Sequence, residues 1–502
     1  MNDKITAFVN KIFASKIWYY IQNILVVGLF MYCIKGLTDY DNVLYQTRKN
    51  QAAAKGLFAF MAIVFIVRKV KLINWQSLVA TLLFVPFLIE RMTFWKESPD
   101  IINILKPQMA AEWLALMIII DMIVYKNVND LFKGVNYLLI VYALLTFGML
   151  YRRNGRMDPV ILVFPMFLFA LVKMDEEKWE WFLKRFIDSW FLMFVYAVVR
   201  SFRETPFNYR RFYGYFLNIG PFGVFMTCAF VAAIFAIIYS REKYGRKSFF
   251  YIVSAVWIAV CSYMLWIIDT RTVLAGAAFA LIFLFLFGRK YTSKPKMRKR
   301  LIILGGIFAT GIIVTAVILI LAQNESSVYW YAKAEGSILA PLAMMISRFA
   351  GALKSSQGAN GWETFVNIVD HLSSGRIEIA KGYSEFFNYE GNGAVGYELP
   401  SGYWVYNAHC NYVQILIEYG YFTLIETLVF VLMSFVISIK RYFKSGKKVI
   451  YFMPVLWLAA MLGVWLGEVN SLYYPVTFFG FMFMVRLFVP DDLKETAKIE
   501  VK

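Results

Sequence analysis

Long apolar runs alternate with short polar or basic stretches along almost the whole chain of 502 residues. Apolar runs of about 17–25 residues can cross a bilayer as helices, and a helix satisfies its own backbone hydrogen bonds where lipid cannot. The pattern therefore predicts an all-α polytopic membrane protein with about 12–14 transmembrane helices. The candidate spans lie near residues 17–34, 52–67, 74–90, 109–125, 135–150, 159–172, 186–202, 218–239, 248–268, 271–288, 301–321, 412–438, 449–467 and 471–488.

One polar segment, residues 322–411, is much longer than the other connections between apolar runs. Its side of the membrane follows from the basic connection before it, residues 289–300, which holds seven Lys and Arg. Short basic loops stay in the cytoplasm, and one predicted span separates the two segments. We therefore predict that residues 322–411 form a large extracytoplasmic loop and that both termini are cytoplasmic.

Within this loop, apolar residues at helical spacing predict short amphipathic helices at residues 341–354 and 375–387, lying on the outer surface. Residues 388–402 are rich in Gly and polar residues, which is typical of a mobile turn region. The chain shows no internal repeat and no soluble domain. We predict one membrane domain, residues 1–502, that carries the loop 322–411.

Charge and cysteine content narrow the class of protein further. The formal net charge is +19, but Lys and Arg collect in the predicted cytoplasmic connections, as membrane topology requires. The charge therefore does not indicate a nucleic-acid partner. The four cysteines show neither metal-ligand spacing nor a disulfide framework.

Cations and one histidine at the predicted outer ends of spans are the candidates for chemistry. They are Arg210 and Arg211, Arg271, Arg376 and His409. Arg recognises phosphate oxygens in a bidentate way, so several converging arginines could hold the diphosphate of a lipid. A histidine, whose ordinary pKa is about 6.5, could take a proton from an incoming hydroxyl. The structural alternative is that such arginines extend to lipid headgroups, or that Arg271 pairs with Asp269.

Other titratable residues have simpler interpretations. We interpret His371 as a structural residue on a helix face and Glu468 as a salt-bridge partner, and Asp121 is a buried acid of unassigned role. His409 and Cys410 are neighbours whose side chains point in different directions, so a Cys–His couple is not expected. No group of residues has metal-ligand spacing, and we predict no metal and no other cofactor.

Three segments carry a family likeness in the same order along the chain. The first is Arg211-Phe-Tyr-Gly-Tyr-Phe-Leu-Asn218, and the second is Asp269-Thr-Arg-Thr-Val-Leu-Ala-Gly276. The third brackets the long loop, with Ser373-Ser-Gly-Arg376 on one side and Ala408-His-Cys-Asn-Tyr-Val-Gln-Ile-Leu-Ile-Glu-Tyr-Gly420 on the other. Together they resemble the O-antigen ligase and polymerase superfamily, the Wzy-type enzymes of bacterial surface polysaccharide assembly. The resemblance covers roughly residues 200–440.

The resemblance implies a glycosyltransferase of the bacterial inner membrane that needs no metal and works at its extracytoplasmic face. Its partners would be an undecaprenyl-diphosphate-linked oligosaccharide and membrane lipid, with a flippase and a chain-length regulator beside it. His409 would be the catalytic or substrate-orienting residue. The diphosphate contacts would be Arg211 and Arg271, with Arg210 and Arg376 as further candidates and Asn411 and Asn218 in support.

The sequence leaves several activities open. A polymerase joins repeat units to each other, whereas a ligase passes the glycan to another acceptor; the lack of a soluble C-terminal extension and the residue usage favour the polymerase. A flippase for lipid-linked sugars should show helices broken at matching places in two halves, but Pro86, Pro165 and Pro221 have no such partners. A cell-wall polymerase should present an essential acid in an outer loop, and no such acid stands out.

Overall fold

A computed structural model describes residues 11, 15–38, 46–67, 107–124, 174–204, 219–268, 270–288, 360–373, 376–392, 396–398, 402, 404–405 and 408–467. The helices in these ranges are α1 (Lys16–Thr38), α2 (Gln46–Val67), α3 (Pro107–Val124), α4 (Glu176–Glu204), α5 (Ile219–Lys243), α6 (Phe249–Ile268), α7 (Arg271–Phe287), α8 (Gly361–Ser373), α9 (Arg376–Tyr383), α10 (Asn411–Lys444) and α11 (Met453–Trp465). Short 3₁₀ turns cover Ser384–Phe386 and Val449–Tyr451, and strands β1 (Tyr397–Glu398) and β2 (Trp404–Val405) form one antiparallel hairpin.

The described part of the chain is mostly helical, and its helices indicate a membrane protein. Four of them are long and apolar enough to cross a bilayer: Lys16–Lys35, Gly220–Lys243, Phe249–Ile268 and Asn411–Lys444. Shorter apolar helices cover Lys55–Val67, Thr272–Phe287 and Val449–Trp465. The predicted helical class is thus confirmed, while the number of spans and the side of the loop stay predictions. The predicted spans near 74–90, 135–150, 159–172, 301–321 and 471–488 lie outside the described residues.

The chain divides into two compact units. The first contains residues 1–196, 436–438 and 472–502, and the second contains residues 197–435 and 439–471. In the first unit, α1 packs against α2 and α2 against α3. Phe30 on α1 meets the edges of two rings on α4, Phe182 and Phe186, and Asn23 accepts a 2.7 Å hydrogen bond from the Trp181 indole.

Four helices, α5, α6, α7 and α11, form the core of the second unit. Helix α5 packs against α6 and α7, and α7 packs along α11. Two glycines let α7 and α11 approach backbone to backbone, because a Cβ atom on Gly463 would lie 2.7 Å from the Ala275 carbonyl oxygen and 2.8 Å from the Gly276 Cα. Small residues allow this close packing of membrane helices. The approach fixes the end of α11 beside the start of α7.

The described residues of the predicted loop, together with the first turns of α10, form a small cluster within the second unit, called here the loop domain. The predicted helix at 375–387 is observed as α9 and the 3₁₀ turn that follows it. The predicted mobile turn region at 388–402 is wrong in part, because Tyr397–Glu398 pairs with Trp404–Val405. The remaining predicted helix, at 341–354, lies outside the described residues.

Aromatic packing holds this small domain together. Ile379 and Tyr383 from α9, Val405 and Ala408 from the hairpin side, and Ile417 from α10 form its buried cluster. The Tyr383 hydroxyl donates a 3.2 Å hydrogen bond to the Val405 carbonyl. Burial first, and then Tyr397 and Glu418, raise the pKa of Tyr383 to about 12, so the phenol keeps its proton for this bond. The first turns of α10 therefore belong to the loop domain rather than to a simple span.

The long helix α10 is broken at Gly420. This residue has φ 82° and ψ 177°, a backbone conformation open only to glycine. Residues 388–392 close the break, because Tyr421 donates its backbone N–H to the Asn388 carbonyl at 3.1 Å and Asn392 donates to the Ile417 carbonyl at 2.7 Å. The predicted span 412–438 is therefore corrected to two helical segments that meet at this glycine.

We predict that Gly420→Ala lowers the thermal unfolding midpoint of the detergent-purified protein. An Ala would be strained by about 1–3 kcal/mol, and its Cβ would collide with the Tyr389 carbonyl. Gly446→Ala is the matched control, since Gly446 also has positive φ, 71°, but nothing lies within 4 Å of its added Cβ. The Gly420 variant should shift the midpoint clearly more than the control, and equal shifts would contradict the account.

Candidate functional site

Arg376 begins α9 in a position fixed by the preceding helix. Near the end of α8, Asp370 accepts hydrogen bonds through one carboxylate oxygen from the Ile377 N–H at 2.8 Å and the Glu378 N–H at 3.1 Å. A carboxylate at this place satisfies free N–H groups of the first helical turn and favours its dipole. Asp370 therefore orients the first turn of α9, from which the Arg376 side chain extends.

The guanidinium group of Arg376 lies against Gly467, just beyond the end of α11. A Cβ atom on Gly467 would lie 2.5 Å from Arg376 Nη1 and would also collide with the Thr272 methyl group in the first turn of α7. Only a residue without a side chain leaves room for both neighbours. Gly467 thus brings the loop arginine to the start of α7, the helix that opens with Arg271.

His409 lies close to Arg376 and has an unusual backbone. Its φ is 48°, in the left-handed region that few residues other than glycine adopt. Its side chain is half-buried. Burial first, and then the positive charge of Arg376, lower the pKa of His409 below its ordinary value of 6.5. The imidazole ring is therefore neutral at pH 7 and able to accept a proton.

A buried glutamine supports the turn that carries His409. Gln414 accepts a 2.8 Å hydrogen bond from the Ala408 N–H and donates a 2.6 Å bond to the Glu418 carboxylate. Both Ala408 and Gln414 are buried, where unpaired polar groups are costly. The side chain of Gln414 therefore ties the residue before His409 to the helical turn that precedes the break at Gly420.

Asn411 follows this turn at the first position of α10. Its side chain is fully buried, and neither its amide oxygen nor its amide nitrogen has a hydrogen-bond partner among the described residues. The next residue, Tyr412, donates to the Leu462 carbonyl at 3.4 Å and meets the Trp465 ring edge to face. The start of α10 is therefore packed on the last turns of α11, the same helix end that holds Arg376.

A second buried polar group lies at the start of α7. Thr270 precedes the helix in an extended conformation, and its hydroxyl has no partner among the described residues. Gly223, the fifth residue of α5, makes room for it, since a Cβ atom there would lie 2.9 Å from the Thr270 hydroxyl oxygen. The starts of α5 and α7 therefore lie side by side, and the positive ends of both helix dipoles lie there too.

The structure places the predicted site residues unevenly. It brings Arg376 and His409 together and sets Asn411 two residues beyond His409. Arg271 is the first residue of α7, and nothing is described of its side chain. Arg210, Arg211 and Asn218 lie outside the described residues, but the helix that follows them, α5, begins beside Thr270. His371 lies on α8, and its side chain is likewise undescribed.

Sequence analysis assigned no site role to four contributors: Gly467, Asp370, Thr270 and Gln414. The signal for Thr270 and Gln414 was present, since both lie inside the segments that carry the family likeness. The signal for Asp370 was its place six residues before the predicted site arginine. Gly467 had no local signal, because its role depends on a side chain 91 positions earlier in the chain.

Chemically, this arrangement can bind an anion and accept a proton at one place. The Arg376 guanidinium group and the nearby start of α7 offer hydrogen-bond donors, and the neutral imidazole of His409 is close enough to the cation to interact with it. Within the described part of the chain, no three His, Cys, Asp or Glu side chains come together as metal ligands could. No protein-family model, no curated protein and no solved structure matches the chain.

We predict that Arg376→Gln raises the pKa of His409, because the cation that helps to lower it is removed. Burial still acts, so the pKa should stay below 6.5. The measurement is an NMR titration of the ring-labelled protein in lipid nanodiscs, where the chain's two histidines give two signals and His409→Gln assigns them. Lys381→Gln, which removes an exposed cation from the same helix, is the control and should leave the pKa unchanged. An unchanged pKa in Arg376→Gln would show that the two side chains do not interact.

Proposed function

We propose that the protein is a membrane glycosyltransferase that polymerises undecaprenyl-diphosphate-linked oligosaccharide repeat units of a bacterial surface polysaccharide. The reaction would take place at the extracytoplasmic face of the cytoplasmic membrane. The observation that carries the proposal is the pairing of Arg376 with a neutral His409 beside the helix start that bears Arg271. These are residues from two of the three segments that resemble the polymerase and ligase superfamily.

In this proposal, the cationic part of the site binds the diphosphate. A diphosphate needs donors and positive charge in fixed positions, and Arg376 offers a planar donor group of permanent charge. The start of α7 adds the positive end of a helix dipole. Negative charge grows on the diphosphate as it leaves, so donors already in place would stabilise the transition state more than the ground state. Arg271, Arg210 and Arg211 would complete this part of the site.

The neutral histidine supplies the proton acceptor. The hydroxyl oxygen of the acceptor sugar attacks the anomeric carbon of the lipid-linked sugar and forms the new glycosidic bond. The bond between that carbon and the diphosphate oxygen breaks, and its electron pair leaves with undecaprenyl diphosphate. The hydroxyl proton passes to a ring nitrogen of His409, which returns it to water. Asn411 would support the site from the buried start of α10, where its amide has no hydrogen-bond partner among the described residues.

We predict that His409→Ala abolishes polymerisation while the protein still inserts and accumulates. Loss of a general base typically lowers a rate by roughly 10²–10⁴-fold. The gene is deleted in its native host and restored as wild type, His409→Ala or His371→Ala, and the lipid-linked glycan pool is analysed by mass spectrometry. The deletion and His409→Ala should accumulate single repeat units on undecaprenyl diphosphate at the outer leaflet. His371→Ala, which removes the other histidine, should restore polymer.

Other outcomes of this experiment identify other activities. Long lipid-linked polymer in the deletion strain would mean a ligase, and single units trapped at the inner leaflet would mean a flippase. An unchanged pool would overturn the lipid-diphosphate proposal altogether. If the activity of the His409→Ala variant falls only in proportion to the amount of this protein in the membrane, His409 has a structural role.

A further inference from the structure

Beyond the break at Gly420, the surface of α10 is the reverse of that of a water-soluble helix. The large side chains that face outward are apolar: Phe422, Ile425, Val429 and Leu432, with Phe422 68% and Leu432 64% exposed. They are spaced three or four residues apart, so they form one continuous stripe along the helix. Exposure of this stripe to water would be unfavourable, because a contiguous apolar surface is costly in a soluble protein.

The small polar residues of the same segment face inward. Thr423, Thr427 and Ser434 are buried, with Thr427 1% and Ser434 0% exposed. Thr423 and Ser434 donate their hydroxyls to backbone carbonyls one turn earlier, at 3.0 Å and 2.7 Å. Polar groups turned inward and aliphatic groups turned outward are expected where the surrounding medium is hydrocarbon. The outward stripe is therefore suited to contact with lipid.

The length of α10 agrees with a span that begins at the break. The whole helix has 34 residues, so at about 1.5 Å per residue its length is roughly 51 Å. This length is much greater than the thickness of a hydrocarbon core, which is about 30 Å. The part from Phe422 to the exposed Lys440 rises only about 27 Å. Lys440, Arg441 and Lys444 at its far end suit the basic side of a membrane.

Three aromatic side chains collect at the loop end of the stripe. Tyr389 from the loop packs against Tyr421 and Phe422, with ring centres 5.6 Å and 5.8 Å apart. All three rings are exposed, and the loop residues next to Tyr389 are exposed and polar, notably Glu390 and Asn392. Tyrosine has an apolar ring and a polar tip, and for this reason it is enriched where hydrocarbon meets water.

We propose that this aromatic group, Tyr389, Tyr421 and Phe422, is the membrane anchor of the loop domain and lies in the headgroup interface of the bilayer. The break at Gly420 then lies at the same depth, with residues 411–419 above the hydrocarbon and the rest of α10 within it. Because residues 388–392 close the break, the anchor would hold the loop domain, which carries His409 and Arg376, to the lipid surface. The proposal concerns lipid contact alone and does not depend on the glycosyl-transfer reaction.

Spin-label depth measurements test the anchor in the full chain reconstituted in phospholipid vesicles. Cys410→Ser serves as the parent, since Cys33, Cys228 and Cys261 are buried and labelling of the parent reports any background. Single cysteines then replace Glu390, Tyr389, Phe422, Leu432 and Lys440. At each site the accessibility of the nitroxide to oxygen, which partitions into lipid, is divided by its accessibility to a water-soluble nickel complex.

The ratio should be lowest at Glu390, intermediate at Tyr389 and Phe422, highest at Leu432 and low again at Lys440. Leu432 lies ten residues beyond Phe422, about 15 Å deeper and near the middle of the bilayer. A value at Tyr389 and Phe422 as low as at Glu390 would place the aromatic group in water and overturn the anchor. A mid-bilayer value at Tyr389 would overturn its interfacial position, and a low value at Leu432 would overturn lipid as the partner of the stripe.

Discussion

The contact between the Arg376 guanidinium group and Gly467 is the one on which the candidate site depends. An arginine side chain is long and flexible, so it serves as a fixed anion-binding group only where its surroundings hold it in place. Here the missing side chain of Gly467 leaves the space, the start of α7 lies beside it and Asp370 sets the first turn of α9 from which the arginine extends. Gly467 is therefore one of the points at which the loop domain packs on the helical core of the second unit, together with Tyr412 on Leu462 and Trp465.

The same cation determines what His409 can do. A histidine on an open loop would be partly protonated at neutral pH and would repel a nearby guanidinium group. Burial and Arg376 together keep the ring neutral, while its left-handed backbone and the hydrogen bonds of Gln414 set its place. A cationic group that can bind an anion and a neutral proton acceptor therefore lie close enough to interact. This pairing is the chemical basis of the proposed glycosyl transfer.

The sequence predicted the helical class, the helix at the start of the third motif and the two residues that the structure brings together, Arg376 and His409. These follow from local patterns: apolar runs, helical spacing and short motifs. The role of Gly467, the hairpin at Tyr397–Glu398 and the left-handed backbone of His409 did not follow, because each depends on contacts between distant segments. Gly420 is an intermediate case, since a glycine inside an apolar run is a recognised signal for a bend, whereas its closure by residues 388–392 is not visible in the sequence.

A double-mutant cycle in a reconstituted system tests the central claim most directly. The purified protein is placed in lipid vesicles with undecaprenyl-diphosphate-linked oligosaccharide extracted from the deletion strain, and release of undecaprenyl diphosphate is measured. The variants are Arg376→Gln, His409→Ala and the two combined. Residues that act as one unit lose their activity together, so the account predicts that the double variant is no slower than the slower single one. Two results would contradict the account. One is a double variant whose loss of activity is the product of the two single losses, and the other is a single variant that releases undecaprenyl diphosphate as fast as the wild type.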